Sequence, residues 1–258
     1  MNTRKRPTLS WCRFPPLTLE VQYDEKWSFV NTKEKNLPPD EGVASGLGDR
    51  WDHVAFDPEH KLVLEVVVGR RTQENTEALV AQTKARLPKR PDILHTTDAH
   101  HPYLEAIEKA YAEKSGKNKG KVPEQLVYGT VLKRKEKGRV VEVKLTVVLG
   151  TILTALAYLD RSTVSEWLNT SFVERQNATD RHRNARKVRK TYCFSKKVDV
   201  HDAATYFTMY SYNFCWPVRT LSAAHEPPRS PAMAAKLTDH VWSLHEWLSL
   251  PVRPPKSE

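Results

Sequence analysis

The feature that most constrains the fold of this chain is the apolar run at residues 62–68, Leu-Val-Leu-Glu-Val-Val-Val, which predicts a strand near the centre of a sheet. Alternating patterns at residues 19–30 and 51–56 predict two strands before it. The pattern then predicts a helix capped by Thr72, a strand, a second helix and a fifth strand, at residues 72–87, 92–97, 102–113 and 126–131. This order favours an α/β fold, with a mixed sheet that begins as a three-stranded antiparallel meander and is flanked by helices.

The chain departs from this alternation at residues 133–167, which predict a basic hairpin, an apolar strand and an apolar helix. We interpret this segment as an insertion before the helix that carries Glu174. A helix is also predicted at residues 202–214, and a short amphipathic helix at residues 236–248. The predicted organisation is a basic N-terminal arm, one domain that contains the insertion, and a Pro-rich linker with a C-terminal helix, at residues 1–18, 19–215 and 216–258.

The charge of the chain indicates a polyanionic partner, since 41 Lys and Arg residues against 31 Asp and Glu residues give a formal net charge of +10. Nucleic acid is favoured over an anionic membrane surface. The three cysteines have no CxxC spacing, which argues against a zinc knuckle or a disulfide framework and fits a reducing compartment. No secretory signal is recognised, and no apolar run reaches the ~20 residues that span a bilayer. We therefore expect a cytoplasmic protein with no membrane partner.

Three acidic residues occupy positions, inside or at the end of a predicted element, where a carboxylate is expected to have a specific partner. Asp24 lies inside a predicted strand, Asp98 ends the fourth strand, and Glu174 begins a helix. If the first and fourth strands are neighbours, these carboxylates converge. Acids packed closely raise one another's pKa unless a cation compensates, and two Mg²⁺ ions ~3.5–4 Å apart would do so. The expected chemistry is phosphodiester cleavage, with Mn²⁺ as a substitute ion.

The stretch from Glu174 to residue 190 follows its acid with closely spaced cations. On a helix, Glu174, Asn177 and Arg181 would lie on one face. One interpretation is an acid that binds metal beside a face that binds phosphate; the other is a solvated basic helix with an internal salt bridge. The candidate DNA-binding residues are Asn177, Arg181, Arg183, Arg186, Lys187, Arg189 and Lys190. For Arg70 and Arg71, which could also bind phosphate, ordinary surface charges are the favoured interpretation.

Four motifs in order resemble the insertion-sequence-one family of bacterial DDE transposases, whose catalytic core is ribonuclease H-like. Residues 23–30, with Asp-Glu-Lys-Trp, match that family's Asp-Glu-x-Trp strand, and residues 97–103 resemble its Thr-Asp-Gly-x-x-x-Tyr segment. Residues 172–177, Phe-Val-Glu-Arg-Gln-Asn, are similar to its Glu-Arg-x-Asn segment. Residues 194–202 match its Phe-Ser-Lys segment and the His-Asp that follows. The resemblance spans about residues 19–215, interrupted at 133–167.

The resemblance implies that Asp24, Asp98 and Glu174 are catalytic and bind the metal ions, and that Arg181 contacts DNA ends. It also implies that Asn177 orients a metal-bound water or a phosphate. Supporting roles are expected for Glu25, Trp27 and His201, although His201 fits a purely structural role equally well.

The sequence departs from the family in two places. Ala99 stands where the family has glycine, and no zinc-binding or helix-turn-helix region precedes the first catalytic strand. Because phosphate contacts alone supply no sequence readout, we expect a homo-oligomer or a partner protein that supplies DNA recognition.

Three functions remain open from the sequence. The first is a Mg²⁺-dependent transposase that cleaves and transfers DNA strands. The second keeps this chemistry in a domesticated endonuclease subunit, targeted by a partner within a multi-protein system such as a defence complex. The third is a DNA-binding module without catalysis.

Overall fold

The computed structural model describes residues 17–38, 46–88, 90–113, 115–222 and 226–250. Apart from residues 17 and 18, the predicted basic arm lies outside the described residues. The chain divides into two compact units. One comprises Leu17–Trp27 and Arg50–Ala178, and the described part of the other comprises residues 28–38, 46–49, 179–222 and 226–250.

Six strands form one mixed sheet in the order β3-β2-β1-β4-β5-β6. Strands β2 and β3 pair antiparallel, as do β5 and β6, whereas β4 pairs in parallel with both β1 and β5. An α/β fold with a mixed sheet flanked by helices is therefore confirmed. The strands are β1 Glu20–Val30, β2 Gly48–Asp57, β3 Leu62–Gly69, β4 Leu94–Asp98, β5 Val127–Glu136 and β6 Arg139–Leu149.

The described residues form seven α-helices and three short 3₁₀ turns. As predicted, Thr72 caps the first helix, because its side chain accepts a hydrogen bond from the Asn75 backbone N–H. The helices are α1 Gln73–Arg86, α2 Pro102–Tyr111, α3 Ile152–Asp160, α4 Ser171–Arg183, α5 Val198–Cys215, α6 Pro231–Ala234 and α7 Leu244–Ser249. The 3₁₀ turns are Glu34–Asn36, Ala185–Lys187 and Arg219–Leu221. None of the helices in the described segments is both long and apolar enough to cross a membrane.

The two faces of the central strands have different coverings. On one face, Leu94, Val127 and Val131 pack with Ala155 and Leu159 of α3 in an apolar cluster. On the other face, the buried ring of Tyr23 stacks against His95 and contacts Tyr103 of α2. Because side chains alternate along a strand, Glu20, Gln22 and Asp24 of β1 belong to the first face, and Tyr23 and Glu25 belong to the second.

Two predicted segments differ from the structure. The fifth strand continues to Glu136 and joins β6 through a tight turn, in which Lys137 and Gly138 have φ values of 47° and 81°. Strand β6 therefore becomes a sixth strand of the main sheet. The predicted helix at residues 236–248 is wrong, because Lys236 has a left-handed φ of 58° and only Leu244–Ser249, capped by Ser243, is helical.

The basic stretch is also not one helix. Helix α4 ends at Arg183, and Asn184 has extended backbone angles and accepts a hydrogen bond from the Arg186 backbone N–H through its side chain. A single 3₁₀ turn follows at Ala185–Lys187, and Lys190 has a positive φ of 57°. Asn184 therefore ends the helix within the stretch that the sequence predicts to present a continuous cationic face.

Candidate metal centre

Three carboxyl groups meet where β1 and β4 run side by side. The parallel register pairs Glu20 with Leu94 and Gln22 with Thr96, and the same offset continued along the strands places Asp24 level with Asp98. Asp24, Glu25 and Asp98 each present one oxygen, and these oxygens all lie within 4.8 Å of one another. These residues could hold a metal ion, because closely spaced carboxylate oxygens are the ligands that hard divalent cations prefer.

Asp24 is the most deeply perturbed member of the cluster. Its Oδ2 atom accepts a hydrogen bond from Asn177 Nδ2 of α4 at 2.8 Å. The pKa of Asp24 is raised to about 7, chiefly by burial; the hydrogen bond from Asn177 opposes this rise, and the negative charges of Glu25, Asp98 and Glu174 contribute to it. Without a bound cation, Asp24 is therefore partly protonated near neutral pH.

Glu25 is held by a cation from the loop after β3. Arg71 Nη2 donates to Glu25 Oε2 at 2.9 Å, and its guanidinium lies 5.0 Å from the centre of the Trp51 ring. The Glu25 side chain is 1% exposed, and its Oε1 atom is buried without a hydrogen-bond partner in the described structure. Arg71, for which an ordinary surface charge was the favoured interpretation, has a side chain that is 35% exposed and that pairs with a member of the acid cluster, a contact that the sequence did not predict.

Asp98 completes the cluster from the end of β4. Its Oδ1 atom accepts a hydrogen bond from the His100 backbone N–H at 3.1 Å, which turns the chain towards α2. Burial, followed by the charge of Glu25, raises the pKa of the Asp98 carboxyl. Its position at the tip of a parallel strand agrees with the sequence prediction.

Glu174, the third acid predicted to bind metal, lies outside the three-oxygen cluster. It occupies the first turn of α4, where its Oε1 atom accepts a hydrogen bond from Thr170 Oγ1 at 2.5 Å and forms an ion pair with Lys133 of β5. Lys133 also donates to Thr170 Oγ1 at 3.2 Å. The Glu174 charge still acts on Asp24, since it contributes to the raised pKa of that residue. The structure thus brings Asp24 and Asp98 together with Glu25, and holds Glu174 beside Lys133.

A polar residue on β1 joins helix α4 to the strand. Gln22 Oε1 accepts hydrogen bonds from the backbone N–H groups of Phe172 and Val173, each at 3.2 Å, at the start of α4. Because Gln22 and Asp24 share one face of β1, the strand holds α4 at two points, through the helix start and through Asn177. Sequence reasoning missed Gln22, although its two-residue spacing from Asp24 was the available signal.

The predicted DNA-binding residues do not share one environment. Asn177 binds Asp24, Arg181 donates to the Lys187 backbone carbonyl at 3.0 Å, and Arg183 donates to the Thr208 carbonyl at 2.8 Å. The Lys187 side chain is buried. Arg186 is half-buried, and Arg189 and Lys190 are exposed.

The residues predicted to support the site, His201 and Trp27, lie in the following environments. His201 is fully buried, with its ring nitrogens 3.2 Å from Ser28 Oγ, 2.9 Å from Ser195 Oγ and 3.0 Å from Lys187 Nζ. These short distances to hydroxyls and an ammonium are typical of a structural histidine. Trp27 is half-buried on β1. Lys133 was not predicted to act at the site, and only its position in the basic hairpin pointed to it.

Comparisons with known proteins add no family to these observations. The chain matches no protein-family model, and no curated protein is matched by its sequence.

Proposed function

We propose that this protein is a divalent-metal-dependent enzyme that cleaves and transfers DNA strands on a ribonuclease H-like core. The observation that carries the proposal is the meeting of Asp24, Glu25 and Asp98 oxygens within 4.8 Å, beside the adjacent parallel strands β1 and β4. Polar groups at the carboxyl ends of parallel strands are a common location for active sites in α/β proteins. The order of the four sequence motifs and the net charge of +10 add support.

The chemistry of the residues fits a Mg²⁺ or Mn²⁺ site. The donor set is entirely carboxylate, and a further acceptor, Asn177 Oδ1, is buried without a hydrogen-bond partner in the described residues. Burial raises the pKa values of Asp24 and Asp98, and the negative charges of neighbouring acids add to the effect, so a bound cation would oppose both shifts. When bound, such an ion supplies activation of a water or hydroxyl nucleophile and stabilisation of charge on the phosphodiester oxygens.

The residues of the chain divide the remaining tasks. Asp24 and Asp98 would hold the ion, and Asn177 would orient the Asp24 carboxylate through the hydrogen bond that it already donates. Glu25 would contribute one oxygen while Arg71 fixes the other. For Glu174 to join them, it would have to exchange its ion pair with Lys133 for the metal. Lys133 would then be free to meet a phosphate.

The test is cleavage of supercoiled and linear DNA in Mg²⁺ or Mn²⁺. We expect Asp98→Asn to lose activity by about 100-fold or more, because metal assistance is worth several kcal/mol in the transition state. The matched control is Asp92→Asn, which removes a carboxylate that instead pairs with Arg90 and Arg161. Equal cleavage by the wild type and Asp98→Asn would reject the proposal.

A second candidate is a DNA-binding module without catalysis. It is favoured by one observation: the chain itself supplies cations to two of the acids, through the pairs Arg71–Glu25 and Lys133–Glu174. Such a module would bind DNA equally well with and without Mg²⁺ and would cleave nothing under conditions where the protein is folded. Metal-dependent cleavage that is lost in Asp98→Asn would exclude it.

A further inference from the structure

Strand β6 is an edge of the sheet in the part of the chain that the structure describes, and it is unusually apolar for an edge. Val141, Val143 and Leu145 lie on one face and are 47%, 51% and 42% exposed. An edge strand offers a row of unpaired backbone N–H and C=O groups, and soluble proteins usually protect long apolar edges. The apolar side chains of β6 therefore indicate a surface that is covered by another strand.

The charge pattern of β6 favours pairing with a second copy of the same strand. The only ionisable side chains between Val140 and Leu149 are Glu142 and Lys144, which are of opposite sign and lie two residues apart on one face. If two copies of β6 pair antiparallel about a two-fold axis at Val143, Glu142 of each copy lies opposite Lys144 of the other. The same axis places Val141 opposite Leu145 on the other face. Both the charged face and the apolar face are then complementary to themselves.

Neighbouring registers are penalised. In a continuous sheet, residues opposite each other point to the same side, so a two-fold axis normal to the sheet must pass beside a residue and not between two residues. The two registers next to the proposed one are therefore centred on Glu142 and on Lys144. The first places two Glu142 side chains opposite each other, and the second does the same with Lys144. Like charges directly opposite are destabilising. Of these three registers, only the one centred on Val143 matches opposite charges.

We propose that β6 is a homodimer interface, in which residues 139–147 of one copy pair antiparallel with the same residues of a second copy around Val143. The six-stranded sheets of the two copies would join into one continuous sheet. This inference rests on the edge, the exposed apolar residues and the charge pattern, and it does not depend on the proposed enzymatic function.

Charge exchange across the interface tests the register. The dimer dissociation constant is measured by sedimentation equilibrium for wild type, Glu142→Lys, Lys144→Glu and the double variant. By symmetry each single variant places two like-charge pairs across the interface, and we expect its dissociation constant to rise about 10-fold or more. The double variant restores opposite pairs and should return to within about 3-fold of wild type. Loss of the Arg134–Glu142 ion pair within one copy cannot produce this pattern, since the double variant lacks that pair as well.

Disulfide trapping tests the axis directly, in a background with Cys12, Cys193 and Cys215 replaced by Ser. Val143→Cys would meet its own symmetry mate at a Cα separation of about 4.5–5.5 Å, which permits a disulfide, and should give a covalent dimer on mild oxidation. Residue 148, on the same strand, lies opposite Gly138 in this register. Val148→Cys should therefore form no covalent dimer on a non-reducing denaturing gel.

The controls separate the interface from general effects. Leu248→Lys changes an exposed apolar residue on α7 and should leave dimerisation unchanged. Thermal unfolding confirms that each variant is folded. A wild-type chain that stays monomeric up to about 100 μM, or a double variant as weak as the single variants, would overturn the proposal.

Discussion

The acidic cluster and the basic stretch are both prominent in the sequence, but the structure uses them differently. Asp24 and Asp98 come together through strand register, and burial, with nearby negative charges, raises the pKa of each carboxyl. In the basic stretch, by contrast, Arg181 and Arg183 bind backbone carbonyls, and Lys187 is buried beside His201. The acids could therefore hold a cation, whereas the side chains of these three basic residues contact other parts of the chain.

The difference follows from the two kinds of side chain. A short carboxylate inside a strand has few ways to avoid desolvation, so its presence there points to a specific partner. Arg and Lys have long apolar stems that can be buried while their charged ends reach a carbonyl or a ring. The contacts that a dense run of cations will make are therefore not encoded in the spacing of the cations, whereas an acid inside a strand calls for a compensating group nearby.

The largest expected effect is on stability in the basic stretch. Arg183→Ala should lower the free energy of unfolding by about 3 kcal/mol, because it removes the bond to Thr208 and the contacts with the Tyr212 and Trp216 rings. The exposed control Arg189→Ala should change it by less than about 0.5 kcal/mol and instead weaken DNA binding at low salt. Urea denaturation measures the free energy of unfolding of each variant. Equal losses of stability in Arg183→Ala and Arg189→Ala would contradict a special structural role for Arg183.

The next largest expected effect is the cost, in the absence of metal, of burying the charged form of Asp24. In EDTA at pH 8, Asp24→Asn should be more stable than wild type by about 2 kcal/mol, because the charged form of Asp24 is buried without compensation. Asp24 has a pKa of about 7 in the folded protein, against 3.8 as its ordinary value, so wild type gains this stability back as the pH falls from 7 towards 4. The advantage of the variant should shrink over that window.

Two controls keep this measurement specific. Other buried groups with shifted pKa values, such as Glu20 and His95, are present in both proteins and cancel in the difference. Saturating Mg²⁺ at pH 8 should stabilise wild type more than the variant. An advantage that stays constant from pH 8 to pH 4 would contradict a buried Asp24 that titrates near neutrality.

The smallest effect concerns the ion pair that holds Glu174. Lys133→Met removes a positive charge and leaves the Glu174 carboxylate available, so Mn²⁺ should bind about 5-fold more tightly. The control Lys135→Met removes an equal charge from an exposed position two residues along β5. Calorimetric titration distinguishes them, and equal changes in the two variants would show that only net charge matters.

Much of the fold and part of the candidate site could be predicted from the sequence. The apolar run at residues 62–68, the Thr72 cap and the position of Asp98 at a strand end all depend on local patterns, and the structure has each of them. The neighbouring positions of Asp24 and Asp98 followed from one topological assumption, that the first and fourth strands are adjacent. That assumption is confirmed by the strand order.

The remaining features depend on interactions between distant parts of the chain. Whether Glu174 reaches the acids or Lys133 depends on how β5 lies beside α4, which no local spacing encodes. The pairing of Arg71 with Glu25 likewise joins residues 46 positions apart. The end of α4 at Arg183 is a local feature, and Asn184 was its signal, but the regular spacing of the cations outweighed it.

Titration of the metal-free protein with Mn²⁺ by calorimetry, at pH 7.5 and moderate salt, tests the central claim most directly. Wild type and the control Asp92→Asn should both bind Mn²⁺, with affinities that agree within about 2-fold, whereas Asp98→Asn should bind at least about 10-fold more weakly. Absence of binding by wild type, or equal binding by wild type and Asp98→Asn, would contradict a metal centre at Asp24, Glu25 and Asp98.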